Sequence, residues 1–197
     1  VDENRNFSGG TVSRAVHVKW FGERLNIFHP TISGNPFPQG ILYSGIRDTS
    51  GNGDAFNVPG SGLLQADTPQ FMTTVEILGN KIAMSFSRST WALDKTTDAF
   101  NPYLIREIPS VLGTESDFSS AAYGNIIEAM GQTGLIVTDA REEKRIDDKI
   151  PFFCRDKIST ENMQLIYGGF DRYNSQFMFS YLDDENPNDL STQDRVL

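Results

Sequence analysis

The sequence predicts an all-β protein, a β-propeller-like repeat of antiparallel meanders, and three observations predict it. Residues 71–94, FMTTVEILGNKIAMSFSRSTWALD, read as three short strands joined by turns at Gly79-Asn80 and Arg88-Ser89. Within them Ile82, Met84 and Phe86 alternate with Lys81, Ala83 and Ser85, the period of two of a half-buried strand. Forty-five positions on, Gly124-Asn125 and IIEAMGQTGLIVTD repeat the pattern, so that Gly79 falls on Gly124, Ile82 on Ile127, Met84 near Met130 and Asp94 on Asp139. A repeat of about this length made of strands and turns is the mark of a propeller blade.

Composition agrees with many short elements. The 197 residues allow one domain, and 38% hydrophobic with 11% aromatic residues is enough to bury a core. Seventeen glycines and nine prolines are spread along the chain instead of gathered in one linker. No apolar run approaches the roughly 20 residues of a membrane helix, so no membrane span is expected. The single cysteine, Cys154, flanked by Phe152, Phe153 and Arg155, cannot form an internal disulfide and reads as a packed core thiol. The N-terminus carries no initiator methionine, signal peptide or targeting motif. Gln193-Asp194-Arg195-Val196-Leu197 look like the start of a strand cut short, so residues 1–197 are expected to be a partial propeller domain within a longer chain.

Taken in order, residues 1–10, VDENRNFSGG, read as a polar loop. AVHVKW (15–20) and RLNIFH (24–29) flank Phe21-Gly22-Glu23 and read as strands of an earlier blade. Residues 31–39 read as a loop before the strand ILYSGI at 41–46. Residues 47–67 read as one long connection, either a functional loop or part of an interface. Beyond the central meander, residues 97–102 turn the chain into the strand YLIREI (103–108), and residues 109–117 lead to a second meander at Ser119. REEKRIDDK (141–149) is a charged segment, followed by IPFFCRDKI and by STENM, one short helical turn with Ser159 as its cap. QLIYGGFD and SQFMFSYLD form a hairpin through Asp171-Arg172-Tyr173-Asn174, with Phe177, Phe179 and Tyr181 on the face expected to be buried.

Few residues suggest chemistry. Asp48-Thr49-Ser50-Gly51-Asn52-Gly53-Asp54 spaces oxygen ligands as a calcium loop does, but Pro59 stands where a closing glutamate belongs, which favours an ordinary Asx-type turn. His17 and His29 lie in or beside strands without partners at ligand spacing, and G-x-S-x-G, H-E-x-x-H, Walker and C-x-x-C motifs are absent. Sialidase blades carry a Ser-x-Asp-x-Gly-x-x-Trp turn, whose nearest counterpart, Ser85-Phe86-Ser87-Arg88-Ser89-Thr90-Trp91, lacks both the aspartate and the glycine. No catalytic residue, metal ligand or cofactor is therefore expected. A net charge of −9 opposes a tight grip on a phosphate backbone, since that affinity comes from lysine and arginine releasing counterions.

Several phrases together resemble one family: WFGERLNIF (20–28), FNVPGSGLLQADTPQ (56–70), LGNKIAMSFSRSTWAL (78–93), IPSVLGTES (108–116), VTDAR (137–141), KIPFFCRD (149–156), LIYGGFDRYNSQFMFSYLD and QDRVL. They are similar to the nozzle or tail-tubular proteins of short-tailed bacteriophages and the related packaged-DNA stabilisation proteins. The resemblance implies a propeller with platform-like additions, assembled as a homo-oligomeric ring of about six copies. It implies a place in the virion tail beside adaptor or portal proteins, assembly in the host cytoplasm, and DNA passing along the lumen without tight binding. The family is structural, so it carries over no catalytic residue. The alternatives are a carbohydrate-binding or host-recognition propeller and, behind it, a propeller glycoside hydrolase.

Two further expectations follow. Phe86 and Trp91 should lie in the blade core. If DNA slides through a lumen, the loops with Glu142, Glu143, Asp147 and Asp148 and with Asp183, Asp184, Glu185 and Asp189 are candidates to line it with repelling charge.

Overall fold

A computed structural model of the chain describes residues 10–46, 56–131, 133–147, 149, 157–182 and 195–196. It is all-β, with one 3₁₀ helix at Thr160–Leu165 among the described residues. The chain divides into two compact units, the first Val1–Met72 with Leu93–Arg106, the second Thr73–Ala92 with Glu107–Leu197.

The first unit begins with β1 (Val12–Arg14), β2 (His17–Phe21), β3 (Arg24–Phe28), β4 (Thr31–Ile32), β5 (Asn35–Pro36), β6 (Gly40–Tyr43) and β7 (Gly62–Gln65). They form an antiparallel four-stranded sheet in the order β2-β3-β6-β7 and a small sheet in the order β1-β4-β5. Gly22 and Glu23 both have positive φ, 61° and 64°, as a two-residue hairpin turn matched to strand twist requires. Ile27, Ile32 and Leu42 bury one face together with Val12, Phe37 and Leu63. Residues 31–39 are thus not a plain loop: β4 and β5 pair through a Ser33-Gly34 turn, again with positive φ at both positions. The connection after residue 46 is shorter than expected, because Gly62–Gln65 pairs with β6 as a fourth strand. The strand expected at 41–46 stops at Tyr43, where Ser44 turns its Oγ back to accept the Leu25 N–H at 2.9 Å and donates it to Gly45 O at 2.9 Å.

Next come β8 (Met72–Leu78), β9 (Lys81–Phe86), β10 (Thr90–Lys95) and β11 (Tyr103–Ile108), a sheet in the order β11-β10-β9-β8 that realises the central meander and its turns. The expected half-burial of β9 is exceeded. Ala83 and Ser85 are buried as well as Ile82, Met84 and Phe86, because Ala83 joins Leu78, Ala92, Ile108, Ile127 and Ala140 in one core cluster. Phe86 is fully buried and Trp91 nearly so, their rings edge to face at 6.4 Å, with Trp91 Nε1 donating to Ser89 Oγ at 3.2 Å.

The repeat follows in the second unit as β12 (Ser120–Tyr123), β13 (Ile126–Gly131), β14 (Gly134–Thr138) and β15 (Glu143–Arg145), antiparallel in that order. Gly79 and Gly124 hold the same turn position, φ 56° and 60°. Counting from them, the counterpart of Met84 is Ala129, not Met130. Met130, one place on, faces the other way, into a cluster with Ile158, Met163, Ile166, Phe179 and Tyr181. Asp94 and Asp139 also differ in role. Asp94 sits on β10 and pairs with Arg106 at 2.7 Å, whereas Asp139 lies beyond β14 and accepts the Arg141 and Glu142 N–H groups.

The last sheet is β16 (Tyr167–Asp171), β17 (Gln176–Tyr181) and β18 (Arg195–Val196). Phe179 and Tyr181 are buried and Phe177 half-buried, as the alternation predicts. Gln164 and Leu165 belong to the 3₁₀ helix and not to the strand. Ser159 occupies the N-cap position, but its side chain caps no backbone group; its Oγ accepts instead from Asn162 Nδ2 at 3.3 Å. The calcium-like run Asp48–Asp54, Asp148, Cys154 with Phe152, Phe153 and Arg155, and the acidic run at 183–189 lie outside the described residues.

Within the second unit, the first strands of three successive sheets are neighbours. Ser120 Oγ of β12 donates to Glu76 Oε1 of β8 at 3.3 Å, and Gly168 N of β16 donates to Phe118 O, just before β12, at 2.7 Å.

Candidate functional site

The residues singled out from the sequence are dispersed. His17 opens β2 opposite Phe28, and His29, at φ 49°, sets its Nδ1 3.3 Å from Met72 O with its ring stacked near Phe71. Among the described residues no group of three or more metal-ligating side chains comes together. In the Ser85–Trp91 stretch Ser85, Phe86, Ser89, Thr90 and Trp91 are buried, while Ser87 is half-buried and Arg88 exposed at the turn.

The charged segment at 141–149 is corrected by the structure. Glu142 is exposed and pairs with Lys144 Nζ at 2.6 Å. Glu143, on β15, turns inward and accepts the Thr90 hydroxyl at 2.9 Å, while its buried Oε2 has no close hydrogen-bond partner among the described residues. Burial pushes the Glu143 carboxyl above its ordinary range, opposed by the hydroxyls of Ser110 and Thr90. Asp147 is buried too, clasped by Arg145, whose Nη2 donates to Oδ2 at 2.8 Å. Glu143 is held by the Thr90 hydroxyl and Asp147, beyond the end of β15, by Arg145, so neither is available to line a channel.

The second unit instead presents two aromatic pairs where β12 adjoins β16, one at Tyr167 and one at Phe170, on opposite faces of the β16–β17 ladder. Phe118 and Tyr167 stack with ring centroids 5.7 Å apart and planes 6° from parallel. Tyr123 stacks on Phe170 at 3.9 Å, and Phe170 meets Phe177 edge-on at 4.9 Å. Phe118, Tyr123 and Tyr167 each remain about half exposed. This close approach has a backbone cause: a Cβ on Gly168 would lie 3.1 Å from Ser119 C and Ser120 N, so glycine lets β16 come within hydrogen-bonding distance. Ser116 Oγ adds a bond to Ile166 O at 2.6 Å.

Glu128 shares a sheet face with Tyr123, because it pairs with Ala121, two places before Tyr123 on β12. Burial raises the Glu128 carboxyl above its ordinary value. Flat apolar rings beside a carboxylate can cover an apolar partner surface or stack on a sugar ring and accept its hydroxyls. The Phe170–Phe177 pair was legible as cross-strand partners of the predicted hairpin. Phe118 and Tyr123 carried no such signal, since their place depends on which sheet lies next to β12. No family model and no curated protein matches this chain.

Proposed function

We propose that the chain is a structural protein of a bacteriophage tail, a component of the nozzle or hub ring that forms part of the DNA exit channel. On this reading copies of the chain assemble into a ring next to adaptor or portal proteins, the sheets are blades of a β-propeller, and the protein performs no catalysis. The observation that carries the proposal is the succession of meanders whose first strands, β8, β12 and β16, lie side by side, as blades do around a propeller axis. It supports what the resemblance of the phrases between residues 20 and 197 implies. The half-exposed, stacked Phe118 and Tyr167 support it further, because adjoining exposed aromatics mark interaction surfaces. Mass photometry and electron microscopy of the purified protein test the assembly, and antibody labelling of particles tests its location. Rings and label at the tail tip are expected; a strictly monomeric protein absent from virions overturns the reading.

A second reading, glycan binding, is favoured by one specific observation, the Tyr123–Phe170 stack on the face that carries Glu128. Loss of glycan-array signal in Tyr123→Ala and Glu128→Gln, with unchanged melting, would select it over the tail component.

A further inference from the structure

We propose that the first unit holds a binding site for a small oxyanion, a solute bearing a phosphate or carboxylate group, in the pocket beside Arg24. The pocket has a volume of about 350 Å³ and is lined by Arg24, Lys95, Tyr103, Glu23 and Asp98, among others. Arg24 is only 2% exposed. Its Nη1 donates to Ser44 O at 2.7 Å and Gly60 O at 2.6 Å, its Nη2 to Ala99 O at 3.0 Å, and its guanidinium lies 6.0 Å from the Tyr43 ring centre.

Those contacts use three of the five N–H donors a guanidinium carries, leaving the Nε–H and one Nη2–H without a partner among the described residues. None of the three acceptors is charged, and among the described residues no carboxylate is hydrogen-bonded to the buried cation. Carbonyl dipoles and an aromatic face stabilise a guanidinium, but a buried charge is costly until a counterion meets it. The donors left over are the kind that take a planar carboxylate or a phosphate oxygen with charge-assisted hydrogen bonds.

A second basic residue lines the same pocket. A Cβ on Gly22 would lie 3.4 Å from Lys95 Cδ and 3.4 Å from the Tyr103 hydroxyl, so the lysine stem runs beside the turn, and Lys95 lines the pocket with Arg24 and Tyr103. Tyr103 is fixed there by its hydroxyl, which donates to Phe21 O at 2.8 Å. Two acids also line the pocket. The Asp98 carboxylate is engaged by Phe100 N at 2.8 Å and Asn101 Nδ2 at 3.2 Å, and these bonds hold its pKa below the ordinary value. Glu23 is exposed at the turn and is the acid left to oppose an incoming anion.

The test is a titration with inorganic phosphate, and in parallel with succinate, at constant ionic strength set by chloride. It is followed by amide NMR of Gly22, Ala99 and Tyr103. Saturable shifts with one or both oxyanions are expected, and the stronger of the two names the source. Lys95→Ala should weaken binding about fivefold or more and Glu23→Gln should tighten it, both with unchanged melting, because each changes one exposed charge near the anion. Absence of saturable shifts with either probe, or equal shifts with chloride alone, overturns the proposal. So does an affinity unmoved by both substitutions.

Discussion

Single residues decide how closely neighbouring strands approach. A Cβ on Gly113 would lie 2.1 Å from Phe86 O and 2.8 Å from Arg88 N, and Thr114 N donates to that same Phe86 carbonyl at 2.9 Å. A methyl group there must push backbone from backbone. On Gly168 the nearest atoms are the Phe179 ring at 3.0 Å and β12 backbone at 3.1 Å, a milder overlap. Overpacking a core costs about 1–3 kcal/mol, so Gly168→Ala should fall in that range and Gly113→Ala above it. Chemical denaturation orders the two, and the reverse order would mean that the 113 loop relaxes freely. Phe86, fully buried against Trp91, should cost about 3–5 kcal/mol on truncation to alanine, with a matching drop in denaturation midpoint.

At the scale of elements, tight turns and an inward-facing edge strand set opposite pH dependences. Asp98, Asp139 and Asp171 each accept N–H bonds within turns that connect strands, and each carboxyl is held below its ordinary value, Asp171 first of all by Asn174. Their stabilisation is present above the unfolded value near 3.8 and is lost as pH falls through the lower folded values. Glu143 has the opposite sign. Its folded pKa is raised by burial, so stability is greatest below the unfolded value near 4.5 and declines as pH rises through the folded one. Glu143→Gln should therefore raise Tm at pH 7, and the gain should vanish near pH 4. A pH-independent difference would show that the side chain, not its ionisation, matters. The central meander was legible because two-residue turns bound strands with clear alternation. Strand β15 was not: Glu143-Lys144-Arg145 carries no apolar residue, and its pairing with β14 comes from position next to that strand. For the same reason the acids of this segment looked solvated, while Glu143 and Asp147 are inside. Gly62–Gln65 was hidden by glycines around a short Leu63-Leu64 run, and the aromatic pairs by their origin in contacts between separate sheets.

For the whole molecule, the proposed role makes a demand on charge. A ring that lets DNA slide must not bind it, and duplex affinity rises with each phosphate that lysine or arginine neutralises. With 26 acidic against 17 basic residues, the chain carries a net charge of −9, so long-range repulsion opposes association even though Glu143 and Asp147 are turned inward. Three cations are also held in ion pairs: Arg106 with Asp94, Arg145 with Asp147 and Lys144 with Glu142. Fluorescence anisotropy with a labelled duplex should give no saturable binding at about 0.15 M salt, where the Debye length is about 8 Å. Lowering the salt should not rescue it, because repulsion between like charges grows as screening falls. Micromolar or tighter affinity with a steep inverse salt slope would reveal an exposed basic track and contradict a channel through which DNA moves freely.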